Sequence, residues 1–194
     1  MDVIYYNGRR FYVFEEVYKP AEDTFLLADN MVIRPSEKVL DLGTGCGILA
    51  VLSALMGGEV TATDVNPFAE RNLRMNSELH SVADRIIFKL GDLFEPVKGE
   101  KFDVILFNPP YLPVKEDNIP LGMAWSGGSS GRTLLDRFLS DLDRYLLRRA
   151  YMVQSSLSKP EETYRIIEES GLEYVVLDRA SFFYEKIEVL EIRV

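Results

Sequence analysis

The sequence predicts a single α/β domain with a mainly parallel, seven-stranded sheet. From residue 38 onward, short apolar runs typical of buried strands alternate with segments of helical periodicity. Helices between the strands provide the crossovers that parallel strands require, and they cover both faces of the sheet. No linker or repeat divides the 194 residues. We therefore expect one domain, in which residues 1–37 form an N-terminal hairpin and helix and residues 38–194 form the core.

The N-terminal segment predicts a β-hairpin followed by a helix. Residues 3–14 contain two aromatic and β-branched runs around an Asn-Gly dipeptide, which accepts the positive φ angles of a type I′ turn. Pro20 begins the helix, and Glu22 and Asp23 follow in the first turn, where the helix dipole favours acids. The expected apolar face of this helix consists of Phe25, Leu26, Ala28 and Met31.

The elements of the core follow from composition and from helix start and stop signals. Apolar and β-branched runs predict strands at residues 39–41, 59–64, 85–90, 102–107, 150–154, 173–178 and 184–192. Helical spacing of apolar residues predicts helices at residues 48–56, 133–146 and 160–169, and one more that begins at Pro67 after the cap Asn66. No helix separates the last two strands, so we expect them to pair antiparallel.

Composition and charge argue against several classes of protein. The net charge of −9 disfavours a high-affinity, non-specific nucleic-acid binder, which needs a basic face. Cys46 and His80 are the only residues of their types, so we expect no disulfide, no zinc site, and no Ser-His-Asp triad that lacks His80. No apolar run approaches the ~20 residues of a membrane span, and we see no secretion signal. The expectation is a cytoplasmic protein without a metal centre.

A glycine-rich loop follows the first strand of the core, at the edge where open α/β sheets bind ligands. Residues 41–47 read Asp-Leu-Gly-Thr-Gly-Cys-Gly, with the spacing G-x-G-x-G. A dinucleotide-binding loop needs its third glycine at the position of Ile48, so the spacing disfavours a nicotinamide cofactor. The same loop is also compatible with a tight strand-to-helix turn that binds no ligand.

Two acidic residues follow the next two strands at the same edge. Asp64 lies 19 residues after Gly45, a position from which an acid accepts hydrogen bonds from both hydroxyls of a ribose. Asp92 follows the third strand, where its carboxylate can accept a hydrogen bond from an adenine amine while Leu93 packs against the ring. Alternatively, Asp64 is an exposed acid or a helix cap, and Asp92 belongs to a simple turn.

Together these features resemble the Rossmann-like S-adenosylmethionine-dependent methyltransferases, and the resemblance extends over residues 38–194. It implies S-adenosylmethionine as the cofactor. By position, Asp41 would lie near the methionine amino group, Asp64 would hold the ribose, and Asp92 would meet the adenine. The glycines that line the cofactor would be Gly43 and Gly45.

The sequence Asn108-Pro109-Pro110-Tyr111 follows the fourth strand and is the most specific feature of the chain. It suits methyl transfer to a planar nitrogen, whose delocalised lone pair is poorly nucleophilic. The Asn108 side-chain oxygen and a main-chain carbonyl, such as that of Pro109, can each accept one N–H and stabilise charge developing on nitrogen. The prolines restrict φ, and Tyr111 offers a flat face to a planar substrate group. The alternative is a loop merely stiffened by proline.

Asn-Pro-Pro-Tyr resembles two groups of methyltransferases, those that act on glutamine side-chain amides and those that act on the exocyclic amine of adenine. Residues 19–27, Lys-Pro-Ala-Glu-Asp-Thr-Phe-Leu-Leu, are similar to the N-terminal segment of the HemK/PrmC-like glutamine methyltransferases. Residues 125–128 with Gly131-Arg132 resemble their loop after the catalytic motif. The strongest resemblance is to the archaeal and eukaryotic branch, which methylates the glutamine of the Gly-Gly-Gln motif in class-one release factors.

This resemblance implies further roles and a partner. Thr24 would touch the cofactor, Asn108 would face both cofactor and glutamine, and Trp125 would be a substrate-loop residue, although an anchor of the loop is an equal alternative. The branch works with a small zinc-binding activator protein that pairs with the sheet edge. The candidate strand contains Ile86, Ile87 and Phe88, and the alternative is an ordinary edge protected by its flanking basic residues.

Other functions stay open beside a glutamine N-methyltransferase. An adenine-amine methyltransferase explains Asn108 equally well, with Tyr111 stacked on a flipped base, but it has to accommodate the charge of −9. A non-catalytic cofactor-binding subunit is disfavoured by the intact Asn-Pro-Pro-Tyr sequence. A nicotinamide oxidoreductase is disfavoured by the glycine spacing.

Overall fold

The computed structural model describes residues 1–111 and 131–194 of the chain. Strands β3 to β9 form one sheet in the order β5-β4-β3-β6-β7-β9-β8, beside a separate hairpin of β1 and β2. The strands are β1 (Asp2–Tyr6), β2 (Arg9–Val13), β3 (Lys38–Leu42), β4 (Glu59–Asp64), β5 (Ile86–Leu90), β6 (Phe102–Phe107), β7 (Leu146–Ser155), β8 (Glu173–Ser181) and β9 (Lys186–Arg193). The helices are α1 (Glu22–Asn30), α2 (Ile48–Leu55), α3 (Pro67–Leu79), α4 (Thr133–Tyr145) and α5 (Pro160–Glu169).

The pairing of the strands confirms the predicted sheet. Adjacent strands run parallel from β5 through β4, β3 and β6 to β7. Strand β9 runs antiparallel to both β7 and β8. Alternate residues of the central strands are buried on opposite faces. Val39 and Val104 pack with the hairpin and helices α1 and α2, whereas Leu40 and Ile105 pack with α4 and α5. Both faces are therefore covered, as parallel sheets require.

The predicted N-terminal hairpin is confirmed, and two buried asparagines attach it to the core. Asn7 and Gly8 at its turn have φ angles of 47° and 74°, as a type I′ turn requires. On α3, the side-chain oxygens of Asn72 and Asn76 accept hydrogen bonds from backbone N–H groups that follow or belong to β2, each at 2.8 Å. Both side-chain amides also donate to the carbonyl oxygen of Tyr12 at 2.8 Å.

Helix α1 differs from its prediction in its start and in its buried face. It begins at Glu22 rather than at Pro20, and Phe25 and Leu26 are only half-buried. Its buried residues are Asp23, Thr24, Leu27 and Ala28. The apolar periodicity missed this face because half of it is polar and faces the carboxyl edge of the sheet. No helix within the described ranges is long and apolar enough to cross a bilayer.

Candidate active site

A cavity of about 880 Å³ opens at the carboxyl edge of the sheet, where β3, β4, β5 and β6 end. This volume lies within the range of roughly 300–1,000 Å³ that is typical of small-molecule sites. The predicted site residues that line it are Thr24, Gly43, Gly45, Asp64, Asp92, Leu93, Asn108, Pro109, Pro110 and Tyr111. Asp41 lies behind the wall, where it is hydrogen-bonded to Thr44, a lining residue. Trp125 lies outside the described residues.

The glycine loop combines a ligand-facing position with a packing position. Gly43 has a φ of +65°, and a Cβ there would meet nothing within 4 Å, so its backbone borders open space. Gly47 has a φ of +84°, and a Cβ there would come within 2.3 Å of Leu73 Cδ1. Gly43 therefore leaves room for a ligand beside its backbone, whereas Gly47 meets the needs of a tight strand-to-helix turn. The two alternatives that the sequence left open correspond to different glycines of one loop.

Asp41 is a buried acid near the end of β3. It is 1% exposed, and its Oδ2 accepts a 2.6 Å hydrogen bond from Thr44 Oγ1. Burial raises the pKa of the Asp41 carboxyl to about 7, and the charge of Asp64 adds to this rise while the Thr44 hydrogen bond opposes it. No lysine or arginine among the described residues forms an ion pair with it. An ionised carboxylate that is buried without a cationic partner is stabilised when an ammonium group binds nearby.

Asp64 fixes the glycine loop to the end of β4. Its Oδ2 accepts the N–H of Gly45 at 2.8 Å, and its Oδ1 accepts the N–H of Asn66 at 2.9 Å. Burial raises the pKa of Asp64, and these backbone hydrogen bonds oppose the rise. Each carboxylate oxygen retains a further lone pair for a hydroxyl donor. The structure thus supports a ligand role and a loop-fixing role for the same side chain.

Asp92 already has a partner within the protein. Its carboxylate forms a 2.7 Å ion pair with Arg137 of α4, which the sequence did not place at the site. The next residue, Leu93, has a φ of +46°, a strained value for a leucine and one that occurs mostly at functional positions. An adenine amine at this point would share the carboxylate with Arg137.

Asn108 is held by helix α1 through its amide nitrogen. Its Nδ2 donates to Thr24 Oγ1 at 3.0 Å and to Asp23 Oδ2 at 3.2 Å. These two bonds orient the amide, so that its oxygen faces away from both acceptors. Asn108 Oδ1 is buried and has no hydrogen-bond partner among the described residues. Because an unpaired buried acceptor costs about 1–3 kcal/mol, this oxygen gains strongly from an N–H supplied by a ligand.

Asp23 accepts hydrogen bonds from both Asn108 and Tyr111 and so connects the two side chains. Besides Asn108, it accepts hydrogen bonds from the hydroxyls of Tyr111 at 3.0 Å and Tyr18 at 3.2 Å. Burial, followed by the charge of Asp23, raises the pKa of both tyrosines far above the ordinary range. Both hydroxyls therefore stay protonated and donate. This fixes the position of the Tyr111 ring at the cavity wall, next to Asn108.

Sequence reasoning missed two members of this network. Asp23 was explained by the helix dipole alone, although its spacing of four residues from Leu27 places both on one face of α1. Tyr18 precedes the helix, and no spacing in the sequence distinguishes it from other tyrosines. Within residues 1–111 and 131–194, no cluster of three or more His, Cys, Asp or Glu side chains could hold a metal ion.

Comparison with known proteins gives consistent matches. The family model described as methyltransferase small domain matches residues 19–124. A Methanocaldococcus jannaschii protein with the name "Putative protein N5-glutamine methyltransferase MJ0928" is 38% identical over an alignment of 194 positions, which covers 97% of each chain. The human protein named methyltransferase HEMK2 is 33% identical over an alignment of 174 positions, which covers 82% of this chain and 81% of its own.

Among solved structures, the chain is similar to one from E. cuniculi, described as an Mtq2-Trm112 complex responsible for methylation of the translation termination factor eRF1. The matched chain superposes with a TM-score of 0.73 at 27% sequence identity. The match covers 92% of this chain and 98% of the other. The similarity therefore extends over most of the fold.

Proposed function

This chain belongs to the methyltransferase small domain family and to the HemK-like protein-glutamine methyltransferases, and from that premise we propose its reaction. It transfers the methyl group of S-adenosylmethionine to the side-chain amide nitrogen of a glutamine. The glutamine is that of the Gly-Gly-Gln motif in a class-one translation release factor. Such a reaction belongs to the cytoplasm, where translation terminates.

The cavity suits the cofactor in shape and in chemistry. The open space at Gly43 accommodates a ligand against the backbone. The negative charge of the buried Asp41, behind the wall at Thr44, would attract the ammonium of the methionine part, and Asp64 would accept the ribose hydroxyls. Asp92 and Leu93 would contact the adenine, and Thr24 would lie near the transferred group. When bound, S-adenosylmethionine supplies an electrophilic methyl group on a sulfonium.

The unpartnered Oδ1 of Asn108 is the observation that supports amide methylation most directly. A glutamine NH2 has two N–H donors, and its lone pair is delocalised into the carbonyl. Asn108 Oδ1 accepts one N–H, and the main-chain carbonyl of Pro109 accepts the other. Held in this way, the nitrogen keeps its free face toward the methyl donor. S-adenosylmethionine would supply the methyl group and leave as the neutral thioether S-adenosylhomocysteine. Asn108 Oδ1 and the Pro109 carbonyl oxygen would stabilise the positive charge that grows on nitrogen, until one of its protons passes to water.

The test is mass spectrometry of an intact release factor after incubation with the enzyme and S-adenosylmethionine. We expect one methyl group on the glutamine of Gly-Gly-Gln. Asn108→Ala removes the acceptor, and we expect kcat to fall by about 10²–10³-fold, as for loss of one preorganised hydrogen bond. Because Asn108 would also face the cofactor, calorimetry measures the cofactor affinity of the variant, and kcat is compared at saturating S-adenosylmethionine.

A parallel incubation with adenine-containing DNA and RNA oligonucleotides separates the alternative reaction. Methylated oligonucleotide with unmodified release factor would refute the proposal in favour of an adenine-amine methyltransferase. Full turnover by Asn108→Ala would refute the mechanism while leaving the substrate assignment intact. The charge of −9 already disfavours extended contact with a phosphate backbone.

We also propose that a small activator protein pairs with β5. From the resemblance, we expect that activator protein to bind zinc. β5 lies at one edge of the sheet. Ile87 and Leu90 on it are 62% and 57% exposed, and an open edge strand with exposed apolar side chains readily accepts another strand. Co-expression with such a chain should raise the yield and activity of the wild type, and Ile87→Asp should abolish the gain. Full activity of the purified single chain would refute this part.

A further inference from the structure

The connection between β8 and β9 presents three consecutive aromatic residues, Phe182, Phe183 and Tyr184, which we call the aromatic tip. Phe183 is 92% exposed and Tyr184 is 86% exposed. Their rings contact each other edge to face at a centroid distance of 4.8 Å. Large aromatic side chains usually bury most of their surface, and turns favour small or polar residues. Packing of the fold therefore gives no reason for this pair.

The aromatic tip lies at the same edge of the sheet as Asn108. Because β9 is antiparallel to β7, it begins where β7 ends, as the pairing of Ser155 with Ile187 shows. In the sheet, β6, β7 and β9 are consecutive neighbours. Phe107 at the end of β6 pairs with Met152, which pairs with Leu190, four residues after the start of β9. Two strand spacings of about 4.8 Å and four residues of about 3.3 Å together place the start of β9 roughly 16 Å from the end of β6. Asn108 directly follows β6.

Hydrogen bonds fix the aromatic tip to this edge. Phe182 N–H donates to the carbonyl oxygen of Glu185 at 2.8 Å and closes the connection. The Glu185 carboxylate accepts a 2.7 Å hydrogen bond from Ser155 Oγ, and Lys186 N–H donates to Ser156 Oγ at 3.0 Å. The two exposed rings thus project from an anchored turn, which reduces the ordering cost of binding.

The electrostatics agree with this placement. The charge of Glu185 contributes to the raised pKa of both Tyr18 and Tyr111, the two tyrosines that donate to Asp23. Helix α1, which carries Asp23, also reaches the terminal strands, because Asn30 Nδ2 donates to Asp178 Oδ2 at 3.2 Å. Glu185, at the base of the aromatic tip, therefore lies within electrostatic range of both tyrosines beside the catalytic opening.

We propose that the aromatic tip docks the protein substrate beside the catalytic opening, an inference that rests on the function proposed above. A glutamine that reaches Asn108 brings its own chain across this edge. At about 3.3–3.6 Å per extended residue, the tip lies roughly five residues from the glutamine. The matching substrate residues are apolar or aromatic, because neither ring carries a charge and the nearby Arg179 is already paired with Glu188.

The double variant Phe183→Ala/Tyr184→Ala tests this docking. Both side chains are exposed, so their truncation leaves no cavity in the fold. Methylation of an intact release factor should show kcat/KM reduced about 10-fold or more through KM, as when interface anchors are removed. A short peptide that ends two residues on either side of the glutamine cannot reach the tip, so its methylation should be unaffected. Leu147→Ala is the matched control, because this exposed side chain lies at the start of β7, at the opposite end of the strands from the aromatic tip.

The outcomes separate the docking from the function. If the wild type leaves the release factor unmodified, both proposals are overturned. If the wild type methylates it and the double variant has the same KM, only the docking is overturned. The docking is also overturned if the double substitution converts a dimer to a monomer in sedimentation without changing KM, because the tip is then a contact between two copies of the chain.

Discussion

Replacing Asp41 with asparagine should stabilise the ligand-free protein above pH 7 and weaken cofactor binding. The carboxyl is buried, and its pKa is raised from the ordinary value of 3.8 to about 7. The folded protein thus binds this proton more tightly than the unfolded chain does. Stability therefore falls as pH rises from about 4 to about 7, and it is constant above that range as far as this group is concerned. Asparagine is isosteric and does not ionise, so the variant lacks this loss.

The size of the effect follows from the two pKa values. Each pKa unit corresponds to about 1.4 kcal/mol, so the ionised carboxylate destabilises the folded state by at most about 4 kcal/mol. The glycine loop borders an open cavity, and water that reaches the carboxylate reduces this cost. We expect the variant to gain at least about 2 kcal/mol at pH 8.5, which corresponds to roughly 4–8 °C in melting temperature for a chain of this length. At pH 5 the gain should be much smaller.

Urea denaturation at both pH values measures the gain, and calorimetry measures the affinity for S-adenosylmethionine. We expect the affinity to fall about 10–100-fold at pH 8.5, because the negative charge that would attract the ammonium is lost. Asp92→Asn is the control for the stability measurement alone, since that acid is partly exposed and already ion-paired. A stability difference for Asp41→Asn that does not change with pH would refute the reasoning.

Three further predictions concern other described contacts. Asp23→Asn weakens the acceptor shared by Asn108 and Tyr111, so kcat should fall roughly 10-fold or more, as for a displaced positioning group; unchanged steady-state kinetics would contradict this. Gly47→Ala adds a Cβ that would lie 2.3 Å from Leu73 Cδ1, at a residue whose φ is +84°. Thermal denaturation should therefore show a loss of about 2 kcal/mol or more in the free energy of unfolding. An unchanged stability would show that the loop relaxes. The Arg132 guanidinium is 2% exposed and donates to the Ser158 carbonyl and the Thr163 hydroxyl. Arg132→Ala removes this donor, so urea denaturation should show a loss of about 3 kcal/mol in the free energy of unfolding. A stability equal to that of the wild type would argue against a structural role.

The fold was predictable because its signals are local. Three signals each depend on a few neighbouring residues: the Asn-Gly turn, the Asn66 cap and the apolar run that follows Asp103 in β6. Each was confirmed within about two residues. β7 was predicted from residue 150 but begins at Leu146, because its first residues include Arg148 and Arg149. Arg149 is nevertheless buried, through its ion pair with Glu37 at 2.6 Å. A pairing over 112 residues has no local signal.

The candidate site was predictable in its location but not in its supporting contacts. Strand ends of a parallel sheet converge by topology, so acids and glycines at those ends had to meet. The bonds from Asn108 to helix α1 join residues 84 and 85 positions apart. The Asp92–Arg137 pair likewise depends on how α4 packs. Such contacts follow from tertiary geometry, and only a three-dimensional structure reveals them.

The insertion of β9 between β7 and β8 has a consequence for the order of assembly. β8 has no neighbour in the sheet other than β9, so it cannot dock until the strand that follows it in the chain has been made. During synthesis, the glycine loop and Asn108 can come together while β8 is still a free segment. The outer edge therefore forms last, once the residues of β9 have been made.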